Sequence, residues 1–143
     1  MIYTYYTKKA LNLCFQAHKD QVDKAGMPYV FHPFHIAEQM TTEDTIVTAL
    51  LHDVAEDTYV TVDYMETVCG FKPAVIEALR LLTHEKNVPY LDYIRKLKDN
   101  PIAREVKLAD LKHNSDVSRL EVIEGNMLQN LKKYKKAIAI LEE

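Results

Sequence analysis

The sequence predicts an all-α fold, a single helical domain over residues 1–143. Three observations carry this. Apolar residues recur at helical spacing along most of the chain, and no strand-length alternation interrupts them. Only three Gly and five Pro are present, too few for a turn-rich all-β architecture. Neither an internal repeat nor a low-complexity segment or linker stands out. The 143 residues, 48% hydrophobic and 27% charged, suit one compact domain with its own core, built from about seven or eight helices.

The elements follow in order. Ile2 to about Asp23 reads as a long amphipathic helix, with Ala10, Leu13, Cys14, Ala17 and Gln21 on one face. Gly26 and Pro28 punctuate a loop over residues 24–29. His32-Pro33 starts a short helix running to about Met40, with Pro where no N–H is needed. Thr41 or Thr42 caps the next helix, whose first turn holds Glu43 and Asp44. That helix carries Ile46, Val47, Ala49, Leu50, Leu51 and Val54. It is apolar nearly all round, as expected of a buried central helix.

Thr61 caps a helix that stops at Cys69-Gly70. Pro73 opens another, to about Leu82. Tyr90 to Leu97 forms a short helix, and Pro101 opens a long one through about Val117. A last helix covers roughly Glu121 to Leu141, with Met127, Leu128, Leu131, Tyr134, Ile138 and Leu141 as its apolar positions; this stripe faces the core or a partner.

Several classes are excluded. Net charge is −3 and no basic motif occurs, so no nucleic-acid role is expected. Neither a basic, apolar-cored leader nor an 18-residue apolar run is seen, so no membrane association is expected and the location is read as cytoplasmic. Cys14 and Cys69 lack Cys-x-x-Cys spacing and read as buried thiols. Charge is uneven: residues 38–66 hold eight acidic residues and no Lys or Arg, whereas residues 95–112 hold six basic against three acidic. Such a division suits a cation site that receives an anionic substrate, or simply solvated helix faces.

The chemistry concentrates in Ala49-Leu50-Leu51-His52-Asp53-Val54-Ala55-Glu56-Asp57. Burying an adjacent imidazole and carboxylate is costly unless a partner compensates both, and a metal ion does so at once. Glu56 and Asp57 lie one turn after His52 and Asp53, on the same edge of the helix. A satisfied core histidine beside an exposed helix end is the competing interpretation of this segment alone. His32, at a helix start, and Asp110, among apolar helix positions, complete a set of two His and two Asp. Mixed nitrogen and oxygen donors suit Mn²⁺, Fe²⁺ or Zn²⁺ better than Ca²⁺. Four ligands on a six-coordinate ion leave positions for water and substrate.

The order His32…His52-Asp53…Asp110 resembles the HD phosphohydrolase superfamily. Within it the chain is similar to the hydrolase domain of RelA/SpoT-type alarmone enzymes and their small single-domain relatives. The matching segments are Ala17-His18-Lys19-Asp20-Gln21, Gly26-Met27-Pro28-Tyr29-Val30-Phe31-His32-Pro33, Leu50 through Thr58, and Lys107-Leu108-Ala109-Asp110 with His113-Asn114. The resemblance implies hydrolysis of the 3′-pyrophosphate of guanosine tetra- or pentaphosphate, (p)ppGpp, with one divalent ion, usually Mn²⁺. It makes His32, His52, Asp53 and Asp110 the metal ligands. Glu56 and Asp57 would position or activate the attacking water, and Asn114 would help hold the nucleotide.

Lys24 and Lys107 are candidate phosphate contacts, with an exposed or structural lysine as the alternative. His18 and His113 are read as hydrogen-bonded core residues, His35 and His84 as surface or structural. Tyr3, Tyr5 and Tyr6 suggest core packing or an oligomer contact. Departures from the family pattern fall on substrate recognition. Asp23 and Leu111 each stand where Arg is usual, and Val117 where Thr is usual. An HD hydrolase acting on another nucleotide or phosphate ester is the alternative function. A catalytically silent nucleotide-binding module is a third.

Overall fold

The computed structural model describes residues 1–119 and 125–143, and the regular elements in that range are helices. In chain order the helices are α1 (Tyr5–Ala17), α2 (Phe31–Glu38), α3 (Glu43–Asp57), α4 (Val62–Thr67), α5 (Pro73–Leu82), α6 (Tyr90–Leu97), α7 (Pro101–Asn114) and α8 (Gly125–Glu142), with a 3₁₀ turn at Val117–Arg119. Among the described residues the sole β feature is an isolated antiparallel bridge, Val22 with Pro28. None of these helices is long and apolar enough to cross a membrane.

Local sequence sets most of the ends. Thr4 and Thr42 each accept from the backbone N–H three residues on, and Thr7 and Thr45 reciprocate, so α1 and α3 begin in capping boxes. Thr61 caps α4, and Asn100 caps α7 ahead of Pro101. Gly70 follows α4 with φ +70°, a conformation that costs glycine least.

Two helix ends differ from the sequence expectation. The first helix ends at Ala17, not near Asp23: the chain turns at His18, and backbone bonds from Gln21 N–H to His18 O and from Tyr29 N–H to Gln21 O fold residues 18–29 into a loop. Helix α7 stops at Asn114, not Val117, where the Ser115 hydroxyl takes the Leu111 carbonyl. Residues 121–124, expected to open the last helix, lie outside the described residues.

α3 is the central element, packed by α1, α2, α5 and α7. Ten consecutive residues, Thr45–Val54, are buried, which is why its sequence shows no polar face until its last turn. From α8, Ala137 and Leu141 reach the core, while Leu128 is exposed. Tyr6 packs against Phe71 at 6.3 Å between ring centroids, whereas Tyr3 and Tyr5 are exposed. The α2–α3–α7 packing brings His32, His52-Asp53 and Asp110 together from three helices.

Candidate metal centre

His32, His52, Asp53 and Asp110 are all buried, and one ligand atom from each lies within 4.8 Å of the other three. His32 Nε2 is 2.8 Å from Asp110 Oδ1 and 3.4 Å from Asp53 Oδ2. His52 Nε2 is 3.3 Å from Asp53 Oδ1 and 3.6 Å from Asp110 Oδ1. Two imidazoles and two carboxylates therefore converge on one small volume.

This donor set fits a divalent ion. The His52 Nδ1–H donates to the Ala49 carbonyl at 2.6 Å, an assignment that leaves the Nε2 lone pair facing the carboxylates. That Nε2 atom is buried and makes no hydrogen bond among the described residues. Its contacts to Asp53 and Asp110 are ionic in range without hydrogen-bond geometry. A buried acceptor aimed at a cluster of acceptors is what a cation resolves.

Electrostatics in the metal-free protein point the same way. Burial pulls the His52 imidazole down, but the Asp53 and Asp110 carboxylates outweigh it and push its pKa up to about 9. Burial would raise Asp110, yet Lys107 and the two histidines hold it well below the carboxylate range. Asp110 thus stays charged, and the cluster draws a proton onto His52, the position a metal would contest.

Other side chains brace the cluster. The Tyr29 hydroxyl donates to Asp53 Oδ2 at 2.8 Å and reaches Asp57 Oδ2 at 3.5 Å. Tyr29 is a residue the sequence reading left unassigned. Its signal was its place in the Gly26–Pro33 motif, three residues before His32. The Asn114 amide donates to Asp110 Oδ1 at 3.1 Å. The Lys107 ammonium donates to Asp110 Oδ2 at 3.0 Å and lies 5.5 Å from the Tyr93 ring centre. Of the two expectations for Lys107, a phosphate contact or a structural lysine, its burial against the Asp110 carboxylate matches the second. His113, expected to be hydrogen-bonded, has its Nδ1 2.6 Å from His32 Nδ1. His18 is buried with Nδ1 2.7 Å from Gln21 Oε1, and His84 Nε2 lies 2.6 Å from the Val88 carbonyl.

Glu56 and Asp57 stand at the end of α3 with solvent access. The helices around them still remove enough water to raise both carboxyls, and the neighbouring carboxylates add to this. Lys107 opposes the shift at Glu56, and His18 and His52 oppose it at Asp57.

Beside the cluster opens a cavity of about 270 Å³. His32, Tyr29 and Asn114 line its metal-facing side, Lys24 and Asp23 its loop side, and Met127, Leu131 and Tyr134 of α8 its apolar side. Lys24 and Asn114 thus reach the space where a substrate would lie. Asp23, which stands where Arg is usual in the family, also shapes the loop: its Oδ1 accepts from Ala25 N–H at 2.8 Å and Met27 N–H at 3.0 Å. Leu111 is buried in the core cluster, so its departure from the family pattern points away from the cavity.

No family model matches the chain. It is 30% identical over 140 residues to zebrafish (Danio rerio) guanosine-3′,5′-bis(diphosphate) 3′-pyrophosphohydrolase MESH1, covering 88% of this chain and 76% of that protein. It is 36% identical over 115 residues to the mouse (Mus musculus) MESH1, spanning 63% of that relative's length. The bifunctional (p)ppGpp synthase/hydrolase SpoT of Escherichia coli matches at 31% identity over 75% of this chain but only 17% of its own length. A solved structure of a metazoan SpoT orthologue that hydrolyses ppGpp superposes with TM-score 0.77 at 25% identity, covering 99% of this chain and 88% of that one. Fold, converging His and Asp side chains and relatives agree: the chain belongs to the RelA/SpoT-type HD hydrolase family that includes MESH1.

Proposed function

We propose that the chain is a metal-dependent hydrolase that removes the 3′-pyrophosphate of guanosine tetra- or pentaphosphate. The observation that carries this reading is the buried His32, His52, Asp53, Asp110 cluster beside an open cavity, in a chain related to enzymes of that activity. The four residues would hold one divalent ion: the nitrogen and oxygen donors suit Mn²⁺, Fe²⁺ or Zn²⁺, and the resemblance to (p)ppGpp hydrolases favours Mn²⁺. When bound, such an ion supplies Lewis acidity toward a phosphoryl oxygen and lowers the pKa of water.

The chain's own residues do the rest. Glu56 and Asp57 sit one turn past the ligands, and their raised carboxyls suit proton transfer. One of them takes a proton from the attacking water as its oxygen bonds to the 3′ phosphorus. The P–O3′ bond breaks, O3′ gains a proton, and pyrophosphate leaves with guanosine 5′-di- or triphosphate as the other product. Tyr29 holds Asp53, and Lys107 and Asn114 hold Asp110. Lys24 and Asn114 meet the nucleotide in the cavity, and the apolar α8 wall receives its base.

A second reading, hydrolysis of a less highly charged nucleotide, draws on the cavity's lining: its described residues include one cation, Lys24, against the carboxylates Asp23 and Asp116. A nucleotide panel separates the two. Release of pyrophosphate from ppGpp, with GMP, AMP and GTP inert, supports the alarmone activity. Turnover of another nucleotide in preference to ppGpp overturns it.

A further inference from the structure

His32 turns Nε2 toward the Asp110 and Asp53 carboxylates, which leaves Nδ1 to fix the ring. For most metal-binding histidines that second nitrogen donates to a carboxylate, a backbone carbonyl or water, and His52 follows the rule with Ala49. His32 does not. Its Nδ1 lies 2.6 Å from Nδ1 of His113, so one proton is shared between two ring nitrogens.

The direction of that bond follows from the chemistry of the cluster. A histidine whose Nε2 lone pair faces a cation carries its proton on Nδ1. With an ion at Nε2 in place of the proton that otherwise bridges to Asp110 Oδ1, His113 Nδ1 is the acceptor. The acceptor ring is itself held in place. It lies nearly parallel to His32, at 15° and 4.8 Å between centroids, and packs at 4.5 Å against His35, one turn further along α2. Helix α7 therefore offers Asp110 to the cluster and, three residues on, an acceptor for the neighbouring ligand.

We propose that His113 is a positioning residue that accepts the Nδ1–H of His32 and so fixes the tautomer and ring rotation that aim His32 Nε2 at the metal. This rests on the metal centre proposed above. It separates His113 from its neighbour Asn114, which lines the substrate cavity.

The test compares wild type with His113→Ala and His113→Gln, whose side-chain carbonyl can still accept. Mn²⁺ affinity is titrated calorimetrically on chelated protein, and KM for ppGpp is measured at saturating metal. Loss of a ligand's outer partner costs roughly 10- to 100-fold in metal affinity. His113→Ala should weaken Mn²⁺ binding by that factor, His113→Gln should recover most of it, and KM should stay within about twofold of wild type. In Zn²⁺-loaded wild type, nitrogen-15 shifts should show His32 protonated at Nδ1 and His113 unprotonated there, a readout independent of any variant's folding. Unchanged Mn²⁺ affinity in both variants, a raised KM at unchanged metal affinity, or a proton on His113 Nδ1 would each overturn the inference. No Mn²⁺ binding by wild type would sink the metal centre itself, and this inference with it.

Discussion

The Tyr29 hydroxyl donates to Asp53 Oδ2 at 2.8 Å, so a loop residue braces the carboxylate that pairs with His52 in α3. The second oxygen, Oδ1, is the one turned to His52 Nε2. Tyr29 thereby settles which oxygen of Asp53 faces each histidine. Burial and the nearby carboxylates keep its phenol protonated far beyond neutral pH, so it remains a donor. Tyr29→Phe should lower kcat by about tenfold or more, the loss of one hydrogen bond to a charged group, with metal stoichiometry still one per chain. Steady-state kinetics alongside metal analysis check this.

Lys107 neutralises Asp110 Oδ2 from within the core. Removing one member of a buried pair leaves the other charge uncompensated, at a cost of about 3–5 kcal/mol. Lys107→Met should therefore melt well below wild type when metal-free, and bound Mn²⁺ should restore much of the difference because it neutralises the same carboxylate. A phosphate-binding lysine would behave otherwise: the variant would melt like wild type and bind ppGpp weakly. Thermal melts with and without Mn²⁺ distinguish these outcomes.

The pH dependence of the metal-free protein has a definite sign. His52 titrates at about 9 when folded and near 6.5 when unfolded. Its contribution is complete below pH 6.5 and is lost as pH rises through 9. Melting temperature of chelated protein should fall across that window, on the order of 10 °C for a domain of this size. Asp53→Asn, which removes the largest raising influence, should flatten the slope. Saturating Mn²⁺ should also flatten it, since a coordinated His52 carries no titrating proton there.

The two thiols should differ. Burial, reinforced by Asp53, pushes Cys14 up to about 12, whereas Cys69 is only half-buried. At pH 8 a thiol reagent should modify one cysteine per native chain, Cys69, and both in denaturant. Rapid modification of Cys14 in the native protein would contradict the packing of α1 against α3.

Much of this molecule was legible in one dimension. Thr42, Thr61, Pro73 and Pro101 announce helix starts by local chemistry alone, and the apolar run around His52-Asp53 marks α3 as the centre. His32 and Asp110 could be chosen because polar ligand-type residues stand out at otherwise apolar helix positions. The end of α1 was not legible, because turns at His18 and Gln21 replace helical bonds without any Gly or Pro to signal it. Nor were the burial of Lys107 and the partner of His113. Asp110 stands three residues after Lys107 on α7, a spacing the sequence shows, but Tyr93 beside Lys107 and His32, 81 residues away from His113, arrive only through helix packing, which periodicity does not encode.

The most direct test of the central claim is ppGpp hydrolysis by chelated protein as Mn²⁺ is added back, with bound metal counted per chain and Asp53→Ala run in parallel. Activity that rises with occupancy to one ion per chain, and is lost in Asp53→Ala, is the predicted result. Full turnover by the chelated protein, or wild-type turnover by Asp53→Ala, would contradict a metal centre built on these four residues.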